Sequence, residues 1–270
     1  MGWRDDPGVR RDDTVGSAPS ARVQVTGVRI DNLSMAEAVE AVDRMVREKR
    51  CGYAVTPNVD HLVRLRRDPE FRHIYENAAL VLPDGMPIVW ASRFLGTPLK
   101  ERVAGSDLFP RVCELAARRG YRLFFLGGRP GAASRAAERL RARHPAIRIV
   151  GTYAPPYGFE GDPRENATIA AMVADAHPDV LFVGLGAPKQ EKWIWRYQKA
   201  CGVPVCIGIG VTFEFTAGMV KRAPMWTQRA GLEWLWRLAM EPRRLWRRYL
   251  LEDVRFFWYV AEQWLKQAAG

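Results

Sequence analysis

The sequence predicts an α/β protein: a Rossmann-like, doubly wound, mostly parallel sheet with a helical C-terminal appendage. Short apolar runs typical of buried strands alternate with segments of helical periodicity between residues 52 and 209. The connections between them are short and carry Gly, Pro, Asn or Asp. After residue 231 the strand pattern stops, and Trp and Arg become frequent. We therefore expect a core at 21–220, in two halves that meet near residue 120, and an appendage at 221–270.

The elements of the core follow from these patterns in chain order. The first half is predicted to contain a strand or hairpin at 23–30, strands at 52–56 and 79–82, and helices at 35–49, 59–67, 70–78, 87–95 and 107–119. The second half is predicted to contain strands at 122–126, 147–151, 180–184 and 203–209, and helices at 132–143, 164–176 and 191–199. This order of strands and helices favours a sheet covered by helices on both faces.

Composition and charge limit the classes of function. The 270 residues carry a net charge of +11, which favours an anionic partner. Residues 221–250 contribute eight Lys or Arg and two Glu, so more than half of the net charge lies there. The four cysteines lack a CxxC spacing, which argues against a zinc site or a disulfide framework.

The two ends of the chain bear on where the protein acts. Residues 1–20 mix Asp and Arg without an apolar core, so we expect a disordered leader rather than a secretory signal. No apolar run reaches the ~18–20 residues that a transmembrane helix needs. These features predict a cytoplasmic protein that can still lie on a membrane surface.

Polar residues follow two of the predicted strands. Thr56, Pro57 and Asn58 end one strand, and Pro83, Asp84 and Gly85 end another. Because ligands bind at the carboxyl ends of strands in open α/β sheets, Asp84 is the first candidate for chemistry. The alternative is an ordinary Pro-Asp-Gly turn in which Asp84 caps the next helix.

Glycine-rich segments mark strand ends in the second half. Gly127, Gly128 and Gly131 lie between a strand and a helix, where backbone N–H groups can bind phosphate. The strand at 147–151 lacks the terminal acid that holds a dinucleotide ribose, so a nucleoside diphosphate fits better. Gly186 and Gln190 lie in a second such segment, Gly184 to Glu191, that also opens a helix.

The appendage has an amphipathic pattern. On a helical wheel that starts at residue 243, one face collects Trp246, Leu250, Val254, Phe257, Val260 and Trp264, and the opposite face collects Arg244, Arg248 and Arg255. Such a segment can dock on its own core and leave its arginines in solvent. It can also lie at a membrane interface and present arginine to headgroups or pyrophosphate.

Several motifs together resemble one enzyme family. They are Thr56-Pro57-Asn58, Leu82 to Gly85, Glu101-Arg102-Val103, Val183 to Glu191, Arg222-Ala223-Pro224 and Gly231 to Arg237. In this order, over about residues 23–250, they are similar to those of the WecG/TagA/CpsF glycosyltransferases. The resemblance implies inverting transfer of a hexose or N-acetylhexosamine-type sugar from a UDP-sugar to a polyprenyl-diphosphate-linked saccharide, in the synthesis of teichoic acid or exopolysaccharide at the inner face of the cell membrane.

The resemblance also implies roles for residues. Asp84 becomes the general base with Thr56 beside it, and the residues expected at the donor are Asn58, Gly127, Gly128, Gly186 and Gln190. The residues expected at the acceptor diphosphate are Arg102, Arg237, Arg244 and Arg247. No cofactor is expected, and without an Asp-x-Asp at a strand end no metal either. The partners would be the UDP-sugar, the lipid-linked acceptor and the membrane surface, with no nucleic acid, and the chain could form a homo-oligomer.

Two alternatives stay open from the sequence. The glycines at 127–131 would also suit an NAD-linked oxidoreductase, and the basic, aromatic appendage would also suit a non-enzymatic RNA- or lipid-binding module.

Overall fold

The structure is a computed structural model that describes residues 21–224, 226–227, 231–240, 242–247, 249 and 252–269. Within these ranges the side chains of Arg237 and Arg244 are not described. The predicted leader at 1–20 lies outside the described residues.

The described elements alternate as the sequence predicts. The strands are β1 (Arg22–Val25), β2 (Val28–Asp31), β3 (Gly52–Val55), β4 (Leu80–Val81), β5 (Arg122–Gly127), β6 (Arg148–Tyr153), β7 (Val180–Gly184) and β8 (Val205–Gly208). The helices of the core are α1 (Met35–Arg47), α2 (Val59–Leu65), α3 (Pro69–Glu76), α4 (Met86–Phe94), α5 (Gly105–Arg119), α6 (Ala132–Arg143), α7 (Pro163–Asp175), α8 (Lys189–Cys201) and α9 (Thr212–Ala217), with a 3₁₀ turn at Phe159–Gly161. The helices of the appendage are α10 (Glu233–Met240), α11 (Pro242–Arg247) and α12 (Arg255–Ala268).

A six-stranded parallel sheet forms the centre of the core. Its strand order is β4-β3-β8-β7-β5-β6, and every neighbouring pair is parallel. β1 and β2 form a separate antiparallel hairpin, which confirms the predicted hairpin. The Asp31 carboxylate at the end of that hairpin accepts a hydrogen bond of 2.8 Å from the Val81 N–H of β4. This bond joins the hairpin to the edge of the sheet.

Both faces of the sheet are buried, as a doubly wound fold requires. Along β5, Leu123 and Phe125 enter one apolar cluster, and Phe124 and Leu126 enter the other. The first of these clusters also takes residues of α1, α5 and α6, and the second takes residues of α2, α3, α7 and α8. The α/β, Rossmann-like fold class is therefore confirmed.

Side-chain caps set the starts of four helices. The Ser34 hydroxyl accepts from the Glu37 N–H and the Glu37 carboxylate accepts from the Ser34 N–H, so α1 begins with a capping box. Asn58, Asp68 and Asp162 cap α2, α3 and α7 through their side-chain oxygens. These caps bring the chain back from the strand ends into helices.

The two halves of the chain meet inside the sheet. β3 and β4 come from the first half and β5 to β8 from the second, and the boundary between the halves is the parallel pair of β3 and β8. In open α/β sheets a ligand binds outside the carboxyl ends of the strands. The segments after β3 and β8 therefore border the expected crevice.

The appendage differs from the single amphipathic face predicted between residues 243 and 264. α11 ends at Arg247 and α12 begins at Arg255, so the predicted face belongs to two helices. Val260 is buried against the core, whereas Phe257 on the same predicted face is 65% exposed. Phe256, which the wheel does not place on that face, is buried. Part of the appendage thus docks on its own core.

Candidate functional site

The site begins where β3 and β8 end beside each other. Thr56, directly after β3, is buried, and its hydroxyl donates to the Gly208 carbonyl at the end of β8 over 3.4 Å. Gly105, the first residue of α5, lies so close that a Cβ there would be 3.1 Å from the Thr56 oxygen. Thr56 therefore lies at the junction of the two halves, as the sequence predicts for a strand-end site.

Asp84 is held beside this junction by backbone hydrogen bonds. Its N–H donates to the Pro57 carbonyl over 2.8 Å, and the Val103 N–H donates to the Pro83 carbonyl over 2.8 Å. The N-cap of α4 is Gly85, and that helix start has no side-chain cap hydrogen bond. Asp84 is thus not the helix cap that the alternative interpretation proposed.

The environment of Asp84 makes its carboxyl group a weak acid. Burial raises its pKa to about 7, and this effect outweighs the attraction of Arg102, which lowers the pKa. The carboxylates of Glu233 and Asp107 raise it further. A carboxyl group with a pKa near 7 can accept a proton at neutral pH, as a general base must.

An ion-pair cluster next to Asp84 joins the core to the appendage. Arg102 donates to Asp107 over 2.5 Å and lies 3.6 Å from Glu233 of α10. Arg222, at the start of the appendage, donates to the other oxygen of Asp107 over 2.6 Å. The Nε and Nη2 atoms of Arg222 are shielded from solvent and have no hydrogen-bond partner among the described residues. This cluster places two arginines, each with remaining donors, next to Asp84.

A close contact fixes the start of α10 against α4. Gly231 has a φ of +67°, and a Cβ on it would collide with the Trp90 ring and approach the Cβ of Met86 to 3.0 Å. Only glycine fits this contact without displacing the ring. Glu233, two residues later, is thereby held near Arg102.

Gly127, the last residue of β5, and Gly128, which follows it, allow close packing of the backbone. A Cβ on Gly127 would lie 2.6 Å from the Gly184 carbonyl oxygen of β7, and the Gly128 N–H donates to that oxygen over 2.7 Å. The next N–H, that of Arg129, donates to the Glu214 carboxylate over 2.9 Å. These two N–H groups are already bonded, so a donor phosphate at Gly127 and Gly128 stays a prediction that must rely on other groups of this loop.

The second glycine-rich segment connects α8 to the loop after β8. The buried Gln190 side chain accepts from the Gly210 N–H over 3.0 Å and donates to the Glu191 carboxylate over 2.8 Å. Gly186 has a φ of +75° and open space at its Cβ position. Gln190 thus joins the start of α8 to the loop after β8, and Gly186 leaves space beside that loop.

The structure places the other predicted site residues at the start of α2 and on α10 and α11. Asn58 caps α2, where its side-chain oxygen accepts from the His61 N–H over 3.3 Å. Arg247 is exposed, with its guanidinium 5.7 Å from the centre of the Trp246 ring. Arg237 lies in α10 and Arg244 in α11, but their side chains fall outside the described residues. The acceptor roles of Arg237, Arg244 and Arg247 therefore stay predictions.

Sequence reasoning missed four residues that take part in the site: Asp107, Arg222, Glu233 and Glu191. All four lie within or beside the quoted motifs, and their charges were the available signal. Glu191 is fully buried behind Gln190, and burial raises its pKa to about 7. Nothing in the local sequence distinguishes it from a surface glutamate in the first turn of a helix.

The described residues also bear on metal ions and on the membrane. No group of three or more His, Cys, Asp or Glu residues in the described ranges is arranged to hold a metal ion. None of the helices that the structure describes is both long and apolar enough to span a membrane.

Comparison with known proteins identifies the family. The model of the Glycosyl transferase WecG/TagA/CpsF family matches residues 23–270. An N-acetylglucosaminyldiphosphoundecaprenol N-acetyl-beta-D-mannosaminyltransferase of Bacillus spizizenii is 35% identical over 203 residues, which cover 75% of this chain and 76% of the relative. The Bacillus subtilis protein of the same name is 30% identical, covering 81% and 83%, and that of Staphylococcus aureus strain MW2 is 28% identical, covering 89% and 92%. These matches support an enzyme and favour neither the oxidoreductase nor the non-enzymatic module. The chain belongs to the WecG/TagA/CpsF family of glycosyltransferases.

Proposed function

We propose that this glycosyltransferase moves an N-acetylhexosamine-type sugar, with inversion, from a UDP-sugar to a saccharide linked to a polyprenyl diphosphate. The relatives named above suggest N-acetylmannosamine as the sugar and an undecaprenyl-diphosphate-linked N-acetylglucosamine as the acceptor. The reaction would take place at the inner face of the cell membrane, in the synthesis of a cell-surface polysaccharide. The observation that carries the proposal is Asp84, a carboxyl group with a pKa of about 7 beside the paired arginines Arg102 and Arg222.

Inverting transfer needs one base on the acceptor side. As the acceptor hydroxyl oxygen attacks the anomeric carbon, the bond from that carbon to the UDP oxygen breaks and UDP leaves with the electron pair. Asp84 takes the proton of the hydroxyl group in the same step. Thr56, which borders the crevice 3.4 Å from the Gly208 carbonyl, would orient the reacting groups.

Cationic and N–H donors would stabilise the two diphosphates. Arg102 and Arg222 carry donors beside Asp84, and guanidinium groups bind diphosphate oxygens in a bidentate manner. We assign them to the acceptor diphosphate, together with Arg237, Arg244 and Arg247. On the donor side we keep Asn58, Gly127, Gly128, Gly186 and Gln190, which lie between the ends of β3, β5 and β7 and the first turns of the helices that follow them.

Transfer of a radiolabelled sugar tests the assignment of Asp84. With UDP-N-acetylmannosamine and the undecaprenyl-linked acceptor, the Asp84→Asn variant should lose about a hundredfold or more of its rate, because the amide cannot accept the proton. The matched control is Asp175→Asn, an exposed aspartate at the end of α7, which should transfer at the wild-type rate. Undiminished transfer by Asp84→Asn would refute the assignment of Asp84 as the general base.

A further inference from the structure

An apolar groove of about 320 Å³ lies between α4 and α12, outside the charged cluster. Trp90 and Phe94 of α4 form one wall, and Phe256, Phe257, Val260 and Ala261 of α12 form the other. Phe94 is 60% exposed and Phe257 is 65% exposed, so aromatic surface faces the groove and the solvent together. An exposed apolar surface of this kind is typical of a binding site for an apolar partner.

Helix α4 lines the groove and also contacts the segment that leads to the charged cluster. This helix begins at Met86, two residues after Asp84, and Pro87 in its first turn also lines the groove. Trp90, one turn further along, lines the groove with its ring and also packs against Gly231. Gly231 in turn precedes Glu233, the partner of Arg102. The first turns of α4 therefore lie between Asp84 and the groove.

The chemistry of the lining restricts the occupant. A sugar needs hydrogen-bond partners, and the side chains that line this groove are apolar. A branched hydrocarbon needs none, and it gains from contact with aromatic rings and methyl groups. An occupant with an anionic end would also fit, because Pro87 lines the groove three residues after Asp84, and Trp90 lies against Gly231, two residues before the partner of Arg102. A prenyl chain attached to a diphosphate meets both conditions.

We propose that the groove between α4 and α12 binds the first isoprene units of the acceptor lipid while its diphosphate lies against Arg102 and Arg222. This inference rests on the proposed function, because it adds a place for the lipid end of the same acceptor. The enzyme then recognises its acceptor at two points, the diphosphate and the chain. Binding strength increases with chain length until the groove is full.

Titration calorimetry with three soluble probes tests the groove without any transfer reaction. The probes are pyrophosphate, geranyl diphosphate and farnesyl diphosphate, which share the anion and differ in the hydrocarbon. The wild-type protein should bind farnesyl diphosphate at least tenfold more tightly than pyrophosphate, with geranyl diphosphate between them. An affinity that does not change along this series would overturn the proposal, and so would a failure of all three probes to bind.

Two substitutions and a control assign the effect to the groove. Ala261→Trp fills the groove from an exposed position, and Phe257→Ser removes one aromatic ring from the α12 wall. Each should abolish most of the increase in affinity from pyrophosphate to farnesyl diphosphate. Each should leave the affinity for pyrophosphate within about twofold of the wild-type value. Trp258→Ala removes an aromatic side chain of the same helix that is 74% exposed and does not line the groove, and it should keep the full gain. A gain that survives both groove substitutions would contradict the proposal.

Two further measurements distinguish a lipid groove from a subunit contact and from a failure of the transfer reaction. If Ala261→Trp converts a dimer into a monomer in sedimentation velocity, the groove is a contact between two copies of the chain and the proposal is wrong. The proposed function can fail independently: calorimetry would then show the farnesyl gain, but the wild-type protein would transfer no sugar. Conversely, if sugar transfer occurs with the same kcat/KM for short and long prenyl acceptors, the proposed function stands and the proposed role of the groove is wrong.

Discussion

At the scale of single residues, the pKa of Asp84 links the geometry of the site to a measurable pH profile. Burial raises that pKa to about 7, and Arg102 is the main group that opposes the increase. A general base works when it is deprotonated, so kcat/KM should rise with pH and level off above about 7. Arg102→Gln removes the opposing charge and should move the midpoint of this rise to higher pH.

A matched substitution controls for loss of charge elsewhere. Lys100→Gln removes a cation two residues away that pairs with Glu37 over 2.6 Å on the surface. It should leave the midpoint of the pH profile unchanged. A midpoint that stays constant or falls in Arg102→Gln would show that Arg102 does not stabilise the Asp84 carboxylate, whatever the variant does to the absolute rate.

Glu191 predicts a pH dependence of stability. Its pKa is raised to about 7 from an ordinary value of 4.5, mainly by burial, so its contribution to stability is complete below about pH 4.5 and is lost as the pH rises to about 7. Glu191→Gln cannot ionise, so at pH 8 it should be more stable than the wild type by up to about 3 kcal/mol. Urea unfolding at pH 5 and pH 8 should show a smaller difference in the variant.

An exposed glutamate provides the comparison for that measurement. Glu138→Gln in α6 changes the same functional group on the surface and should reproduce the wild-type difference between the two pH values. If Glu191→Gln behaves like Glu138→Gln, the carboxyl group of Glu191 ionises as easily in the folded protein as in the unfolded chain.

At the scale of elements, the Gln263 side chain joins α12 to the hairpin of β1 and β2 by two hydrogen bonds. Its side-chain oxygen accepts from the Thr26 N–H over 2.6 Å, and its amide donates to the Gln24 carbonyl over 3.0 Å. Gln263→Leu leaves both backbone groups without these partners, which should cost about 1–3 kcal/mol. Because these two bonds hold α12 against the hairpin, we expect faster hydrogen exchange in α12 of the variant and little change in the central sheet.

The control for the two hydrogen bonds of Gln263 lies one turn further along the same helix. Gln267→Leu alters an exposed glutamine and should leave the exchange of α12 unchanged. Equal acceleration by both variants would indicate that the polarity of the helix surface, rather than the two hydrogen bonds, holds α12 in place.

The elements also show how far sequence patterns reach. The strand order along the chain, the hairpin and the carboxyl-end position of Asp84 followed from apolar periodicity and turn residues, because these are local signals. The contacts that complete the site are not local: Thr56 meets Gly208 across 152 residues, and Arg222 meets Asp107 across 115. Periodicity contains no information on such pairs.

Two elements show other limits of local reasoning. The six residues of α9 are too few to give a clear helical period, so the sequence predicted no helix there. In the appendage the helical wheel assumed one continuous helix, and the turn before α12 changes which residues face the core. Phe256 is therefore buried where the wheel favoured Phe257.

At the scale of the whole molecule, positive charge and exposed aromatic surface are concentrated in the same part of the chain. Residues 221–250 contain eight Lys or Arg and two Glu. Within the described residues of the appendage, Trp226 is 67% exposed and Trp258 is 74% exposed. Arginine with tryptophan suits the boundary between anionic headgroups and hydrocarbon. The core buries Phe256 and Val260 on one side of α12, and Phe257 and Trp258 are exposed to solvent.

This distribution predicts binding to anionic vesicles that depends on position as well as charge. Arg247 is exposed in α11, and Arg143 is exposed at the end of α6. Because α6 runs back from the carboxyl ends of the strands, Arg143 lies toward their amino ends, away from the site. A basic residue close to an anionic membrane contributes about 1 kcal/mol. In vesicle cosedimentation Arg247→Gln should therefore weaken binding by about fivefold, whereas Arg143→Gln should have little effect. Salt should weaken binding of both proteins, since it screens the attraction. An equal loss in the two variants would mean that net charge alone draws the protein to the surface, and that the appendage does not orient the site toward the lipid-linked acceptor.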